Sequence, residues 1–406
     1  MNSRFEKLSQ LCDRAVEAFQ PKNWPSDTFI YIDVSSVDAG QKAIVAHKRL
    51  EVAAAPSRAQ QVLKAGDILI STVRPNLNAV ARVSEVHEGA VCSSAFTVLR
   101  CGPDFLPDYL FCLVQAPEFV QRLVSLAQGS HYPAVTDKHV FSTDVLLLSI
   151  EQQKAIAIRI LDSLTLARRA AALIEEQIAL TAEALARLLS AAFEAVLPVF
   201  AGGATGPSPA GWNWQLLRNL ARLESGHTPS RRHPEWWGGD VPWLALPDIR
   251  KLHGKLAYET TENTNDAGLQ NSSARLLPVG TVCLCRDASI GFVTMLGRPM
   301  ATSQHFCNWV CDPNRLDPEF LMYAFMASFD YLRELGSGSV LKTIYMPTIQ
   351  SFHICAPAID EQRRIAGRLR ERLAAAEALS QRLRERQAEI AQLPRRLLAA
   401  AFEPVA

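Results

Sequence analysis

Apolar residues fall every three and four positions along two long stretches of this chain and alternate or cluster in short runs elsewhere. From Glu151 to about Leu197 no Gly or Pro interrupts a sequence dominated by Ala, Leu, Arg, Glu and Gln, which predicts one long helix. Ile160, Ala167, Ile174, Thr181 and Leu188 lie seven apart, and Ala157, Leu164, Ala171, Ile178, Leu185 and Ala192 complete the two-position heptad of a coiled coil. The last stretch repeats the pattern with Leu369, Ala376, Leu383, Ile390 and Leu397. Its second seam, Ala366, Leu373, Ser380, Gln387, Pro394 and Ala401, carries polar residues and a proline expected to end or kink the helix. A single stripe is ordinarily one face of a helix in a core. Two register-matched stripes point to helices that bury each other, with Thr181, Ser380 and Gln387 helping to set register. At 1.5 Å per residue each would run roughly 65–70 Å, long enough to act as a spacer.

The two stretches are copies. Leu188–Val196 reads LLSAAFEAV and Leu397–Val405 reads LLAAAFEPV, 209 positions later. The same shift aligns Gln153 with Gln362, Ile156 with Ile365, Arg159 with Arg368, Leu164 with Leu373, and Gly129-Ser130 with Gly338-Ser339. A period this long means that a whole domain and its connector were doubled. Before each helix the short apolar runs predict an α+β globule. In the first, Phe29–Val34, Gly66–Val73 and Val91–Leu99 read as strands and Pro107–Leu126 as a helix; in the second, Val241–Leu246, Gly280–Cys285 and His305–Val310 read as strands and Pro318–Leu335 as a helix. The organisation is therefore a first globule at 1–148, a long helix at 149–197, a linker at 198–211 (PVFAGGATGPSPAG), a second globule at 212–358 and a second long helix at 359–406. The connectors are alike and the globules are not.

Composition fits a folded protein of two or three domains: 406 residues, 48% hydrophobic and 20% charged. The opening MNSRFEKLSQLCDRAVEAF mixes charges among its apolar positions and reads as neither signal peptide nor anchor. No apolar run approaches membrane-spanning length, so no membrane partner is expected and the cytoplasm is the expected location. Nine cysteines there read as reduced, buried thiols. Net charge is +1, distributed as −1, −1, 0 and +3 over residues 1–148, 149–210, 211–358 and 359–406. None of these segments is the strongly basic block that holds nucleic acid unaided.

Catalytic signatures are missing. The sequence has no phosphate loop, no G-x-G-x-x-G after a strand, no H-E-x-x-H, no G-x-S-x-G elbow, and neither the glycine-rich loop nor the Pro-Pro-aromatic tetrapeptide of amino-methyltransferases. No catalytic residue is assigned. Cys283, Cys285, Cys307 and Cys311 lack the usual zinc spacing, and His227, His233, His253, His305 and His353 form no i, i+4 pair, so no metal site is assigned either.

The chain resembles the DNA-specificity subunit of type I restriction–modification systems over essentially its full length. Carrying the resemblance are Glu151-Gln152-Gln153-Lys154-Ala155-Ile156 and Asp360-Glu361-Gln362-Arg363-Arg364-Ile365 opening the long helices, and the LLxAAFExV helix ends. So do Ser225–Ser230 (SGHTPS) with Trp236–Trp243 (WWGGDVPW) in the second globule, and Gly66–Pro75 (GDILISTVRP) in the first. The first globule lacks the S-G-x-T-P opening, which leaves its reading loops harder to place. The resemblance implies two target recognition domains, each reading one half of a split, asymmetric site in double-stranded DNA, and an antiparallel helix pair setting the gap. It implies two methyltransferase subunits bringing S-adenosylmethionine, and two restriction subunits, using ATP and Mg, that can join them; this chain itself would hold no cofactor. The alternative is a coiled-coil scaffold or sensor whose globules bind proteins or small ligands.

Within that frame Arg74, Asn76 and Asn78 follow a strand and suit bidentate contacts to guanine and adenine, with a solvated turn as the alternative. Arg231 and Arg232 lie beside Trp236 and Trp237, themselves read as core. The loops 129–139 and 338–345 bring His131, Tyr132 and Tyr345 as base contacts and Lys138 and Lys342 as phosphate contacts. Arg363, Arg364, Arg368, Arg370 and Arg372 read as a solvated helix face pairing with Asp360, Glu361 and Glu371. Ile160, Leu164, Ile174, Ile178, Leu188, Leu369, Leu373, Leu383, Ile390 and Leu397 are the expected helix-pair seam.

Overall fold

The computed structural model describes residues 4–14, 16–129, 133–203, 206–336 and 342–402. The fold is mixed helix and sheet, α+β. It divides into two compact units, Met1–Glu175 with Arg384–Ala406, and Glu176–Leu383. The division falls inside both long helices, the central helix Ile150–Ala192 and the terminal helix Ile359–Phe402.

In the first unit one four-stranded sheet has the order Cys12–Asp13, Phe96–Cys101, Ile68–Ser71, Val80–Arg82, and a second the order Lys48–Glu51, Thr28–Ile32, Val91–Ser93, Ala59–Val62. The strand Arg4–Lys7 pairs antiparallel with Asp144–Leu147. Ile68 and Ile70 face a core with Leu8, Leu99 and Tyr109, while Leu69 faces the other side with Cys92, Phe96 and Val98. Burial on both faces explains why GDILIS reads as an unbroken apolar run. The second unit follows the same plan: Ala221–Ser225, Phe306–Cys311, Val282–Cys285, Val293–Leu296 and Leu256–Ala257 form one sheet, and Glu262–Thr264, Trp237–Leu244 and Ala301–Thr302 a second. Cys283 and Cys285 face one core with Phe306, whereas Cys307 faces the opposite one with Val282, Leu284 and Trp309. These three thiols do not converge, and burial pushes each of them up.

Each globule is pinned to the start of a long helix by one buried amide. Gln153 accepts from the Leu106 N–H at 2.8 Å and donates to the carbonyls of Asp104 and Leu148, both at 2.9 Å. Gln362 repeats the arrangement, accepting from Asp317 N–H at 2.9 Å and donating to Pro357 and Arg315 at 2.9 and 3.2 Å. The echoed nonapeptide has a matching task at the other helix ends. Phe193, fully buried, packs on Trp212 and Phe320 in the second unit; Phe402 packs on Tyr109 in the first.

Several expectations need correction. The stretch Val91–Leu99 is two strands, Val91–Ser93 and Phe96–Cys101, on different sheets; the break is only two residues, the exposed Ser94 and the half-buried Ala95, too short to interrupt the apolar run. Pro107–Leu126 is two helices because Pro117 holds Ala116 extended at ψ 140°. Pro318–Leu335 breaks at Ser328, whose hydroxyl accepts from the Val199 N–H at 3.2 Å. The central helix stops at Ala192, short of Leu197, where Glu194 and Ala195 take left-handed backbone (φ 52° and 59°). The linker 198–211 contains a strand: Val199–Ala201 pairs antiparallel with Phe352–Ala356, and Phe200 stacks on Tyr331 at 5.1 Å. Its β-branched and aromatic residues fill a sheet edge despite the Gly and Pro that follow. The terminal helix does not end at Pro394 but runs on to Phe402. Proline there removes one helical hydrogen bond, and packing of Leu397, Leu398, Ala401 and Phe402 against Ile160 and Leu164 offsets it.

Along the helices, Ile160, Leu164 and Leu369 are buried and Ile174, Ile178, Leu188, Leu373, Leu383, Ile390 and Leu397 half-buried. In the second unit Leu189 and Ala192 pack with Ile365, Ala366, Leu369 and Leu373. Thr181 turns its hydroxyl back to Gln177 of its own helix at 2.7 Å rather than to a partner. Among the described residues no helix is long and apolar enough to cross a membrane.

Candidate nucleic-acid interface

The strand Ile68–Ser71 leads into a turn that other segments clamp. Thr72 donates its N–H to Ala95 at 2.8 Å, and its carbonyl accepts from Val135 at 2.9 Å. The Arg74 N–H donates to Pro133 at 2.7 Å. The segment 133–135, sixty residues on in sequence, is thereby laid along the turn. Arg74 (φ 50°) and Asn78 (φ 47°) take left-handed backbone on either side of the single 3₁₀ turn Pro75–Leu77. Asn tolerates that conformation, whereas Arg is held there against a penalty of about 1 kcal/mol or more. Strain retained at an exposed cationic residue motivates a functional reading. Arg74 and Asn76 are exposed; Asn78 is half-buried, its carbonyl accepting from Lys42 Nζ at 2.5 Å.

Lys138 is exposed on the short helix Asp137–Phe141, not on a loop, because Thr136 caps that helix and Thr97 donates to Asp137 at 2.5 Å. His131 and Tyr132 lie outside the described residues.

The second unit builds the same frame from different side chains. Arg286 donates its N–H to His305 at 2.9 Å, its carbonyl accepts from Ile344 at 2.8 Å, and Ala288 takes the left-handed position (φ 54°) that Arg74 holds in the first. Gly66 (φ 88°) and Gly280 (φ 80°) make the corresponding turns into the two strands. Lys342 and Tyr345 flank the buried Ile344 and are exposed, so the frame places both beside Arg286. Arg286 Nε donates to the Gln304 carbonyl at 3.2 Å, the Thr228 hydroxyl donates to Gln304 Oε1, and His305 pairs with Asp287. Arg286 and Gln304 escaped the sequence reading, and His305 entered it only as a metal-ligand candidate and a strand residue; aligning GTVCLCRDA with GDILISTVR would have drawn attention to Arg286.

Arg231 behaves differently. Its guanidinium donates twice to Glu262, at 2.8 and 2.6 Å, and lies 3.8 Å from the Trp237 ring centre. The ion pair holds the Glu262 carboxyl below its usual range and raises the guanidinium. Arg231 thus props the loop, and Arg232, exposed beside it, is the outward cation. Both tryptophans are half-buried: Trp237 packs on the buried Trp243 at the edge of a core cluster and carries Arg231, whereas Trp236 is outside that cluster with His233 stacked on it at 4.1 Å. At the start of the terminal helix Arg364 pairs with Glu361, Arg370 donates to Glu319 at 3.1 Å and Arg363 to the Pro313 carbonyl at 2.9 Å. That face is paired, with Glu319 in the place expected of Glu371.

Residues 209–386 match the family model described as the type I restriction modification DNA specificity domain. Over 163 residues the chain is 28% identical to the type I restriction enzyme MjaIX specificity subunit of Methanocaldococcus jannaschii, a match spanning 40% of this chain and 38% of that one. Over 346 residues it is 25% identical to the type I restriction enzyme HindI specificity subunit of Haemophilus influenzae, spanning 70% and 74%. The fold is that of the HsdS subunit from Thermoanaerobacter tengcongensis (TM-score 0.71, 23% identity, 100% and 97% covered). A chain solved in work on complex assembly and conformational transition of the type I R-M system superposes with TM-score 0.79 at 24% identity, covering 98% and 97%. In sequence and fold the chain is similar to type I restriction–modification DNA-specificity subunits.

Proposed function

We propose that this chain selects the DNA sequence on which a type I restriction–modification complex acts, each globule reading one half of a bipartite, asymmetric site in double-stranded DNA. The observation that carries the reading is that each long helix starts on one unit, pinned by a buried glutamine, and ends in the other, plugged by a phenylalanine. Helices of 43 and 44 residues run roughly 65 Å at 1.5 Å per residue. They pair as an antiparallel coiled coil that sets the gap between half-sites, a reading supported by the burial or half-burial of the heptad positions. Half-sites read from one face of the duplex lie about one helical turn apart, or a multiple of it.

The chain performs no chemistry. Two methyltransferase subunits dock on it and bring S-adenosylmethionine and adenine methylation; two restriction subunits, with ATP and Mg, complete the assembly in the cytoplasm. Near-neutral charge fits a reader whose partners supply most of the phosphate contacts.

Methylation mapping in the source genome, with the chain and its methyltransferase partner intact, tests this. A split motif with two defined halves is the expected result. Inserting four residues after Ala179 lengthens the helix by about 6 Å and changes the tolerated gap with both halves unchanged. Contiguous methylation, or altered halves at the old gap, overturns the proposal.

A further inference from the structure

The first unit contains a cleft of about 390 Å³ on the side of the Pro75–Leu77 turn that carries Asn78. Its walls come from four places: the turn after Val37–Asp38 supplies Lys42, the helix Pro117–Leu126 supplies Gln121, the central helix Arg168 and the terminal helix Arg395. The floor is apolar, with Leu164 and the buried Leu398. Among the described residues lining it there are three cationic side chains and no carboxylate. Asp38, the nearest acid acting on Lys42, is occupied by the backbone N–H groups of Gly40 and Gln41 at 2.8 and 2.7 Å.

Three cations that line one cleft with no carboxylate in its wall repel one another, with Asp38 offsetting this only at Lys42, and a ligand that neutralises them removes that penalty. Phosphate oxygens suit such a set, because guanidinium groups bind them in a bidentate fork and an ammonium adds a point charge. The amides of Asn76, Asn78 and Gln121 add donors and acceptors, and the volume and apolar floor suit a body larger than phosphate alone. We propose that this cleft binds a phosphate-bearing ligand of mononucleotide size, either a free nucleotide or a nucleotide of the bound strand. Burial first, and then the Arg168 charge, lower the Lys42 amine to about 8, with Asp38 opposing. Its Nζ is held on the Asn78 carbonyl, so a ligand drawing on Lys42 acts on the same turn that presents Arg74.

Competitive acetylation of the full-length chain, read by mass spectrometry, tests the site. At pH 8 Lys42 holds a larger share of free amine than an ordinary exposed lysine, and its labelling is the reporter. Millimolar adenosine 5′-monophosphate is expected to slow that labelling at least fivefold, with inorganic phosphate needing a higher concentration. In the Arg168→Gln/Arg395→Gln double variant the half-protecting concentration rises at least tenfold, and Lys42 itself moves back toward ordinary reactivity. Protection by a cognate duplex but not by the mononucleotide assigns the ligand to the DNA strand. Only that arm rests on the DNA reading above, and a gel shift on the same samples shows whether the duplex was bound. Lack of protection by nucleotide, phosphate and a bound duplex overturns the proposal, as does equal protection of the double variant; the wild-type labelling needs no substitution.

Discussion

The turn Thr72–Arg74 in the first unit and the turn Arg286–Ala288 in the second share a backbone and little else. Both follow a doubly buried strand, both receive a hydrogen bond from a later loop, and both put a non-glycine residue in the left-handed region. One places an exposed Arg there and the other an Ala, with the half-buried cation two residues earlier at Arg286. Positions that bond through the backbone can change side chains freely, so the two units can share a frame at this turn and present different surfaces. The buried glutamines behave oppositely: their side chains are the frame, and both units have one.

The largest effect expected from that contrast is at Gln153 and Gln362. Replacing either by Leu leaves three backbone groups without their partner, and destabilisation of about 3 kcal/mol follows for the unit concerned. Hydrogen exchange measured separately over the two units checks this, and a loss in one copy only would mean that the locks are not equivalent. Next come the left-handed positions. Arg74→Gly should remove about 1–3 kcal/mol of discrimination at one base position while relieving backbone strain. Ala288→Gly should stabilise the second unit by about 1 kcal/mol and leave half-site selection unchanged; equal effects of the two on binding would mean that the frame, not the side chain, carries the readout. Smaller differences separate the neighbouring arginines. Arg232→Gln should weaken binding uniformly across sequences and lower the salt slope by about one. Arg231→Gln should loosen the loop with a stability change below about 1 kcal/mol, since the Glu262 pair is half-exposed.

The smallest effect is pH-dependent and belongs to the second unit. His253 accepts from the Val293 N–H at 3.1 Å, and burial lowers its pKa. The unfolded chain then binds a proton that the folded ring resists, so this contribution is neutral above about pH 7 and becomes destabilising as pH falls through the unfolded value near 6.5. A thermal melt series from pH 7.5 to 5.5 should show the midpoint falling, and His253→Gln should flatten the slope.

Much of the plan was legible in the sequence. Heptad spacing marked both long helices, helped in the central one by the absence of Gly and Pro, and the shift of 209 aligned Gln153 with Gln362 without any knowledge of their hydrogen bonds. The candidate interface was legible only in pieces. Arg74 and Lys342 were singled out as residues after a strand and within a loop; that 133–135 and 342–344 are stitched to the two turns depends on partners more than fifty residues away. Arg231 was singled out for its charge and neighbours, yet its fate was decided by Glu262, thirty-one residues on. The edge strand Val199–Ala201 hid among glycines and prolines because its partner lies beyond residue 350.

A helix bonds to itself within four residues, so composition and period alone determined where the rods of this protein run and that there are two of them. Strand pairing, the clamped turns and the basic cleft join segments that the chain order keeps apart, and their selection depends on which surfaces are buried together. Those features were decided only by the tertiary structure.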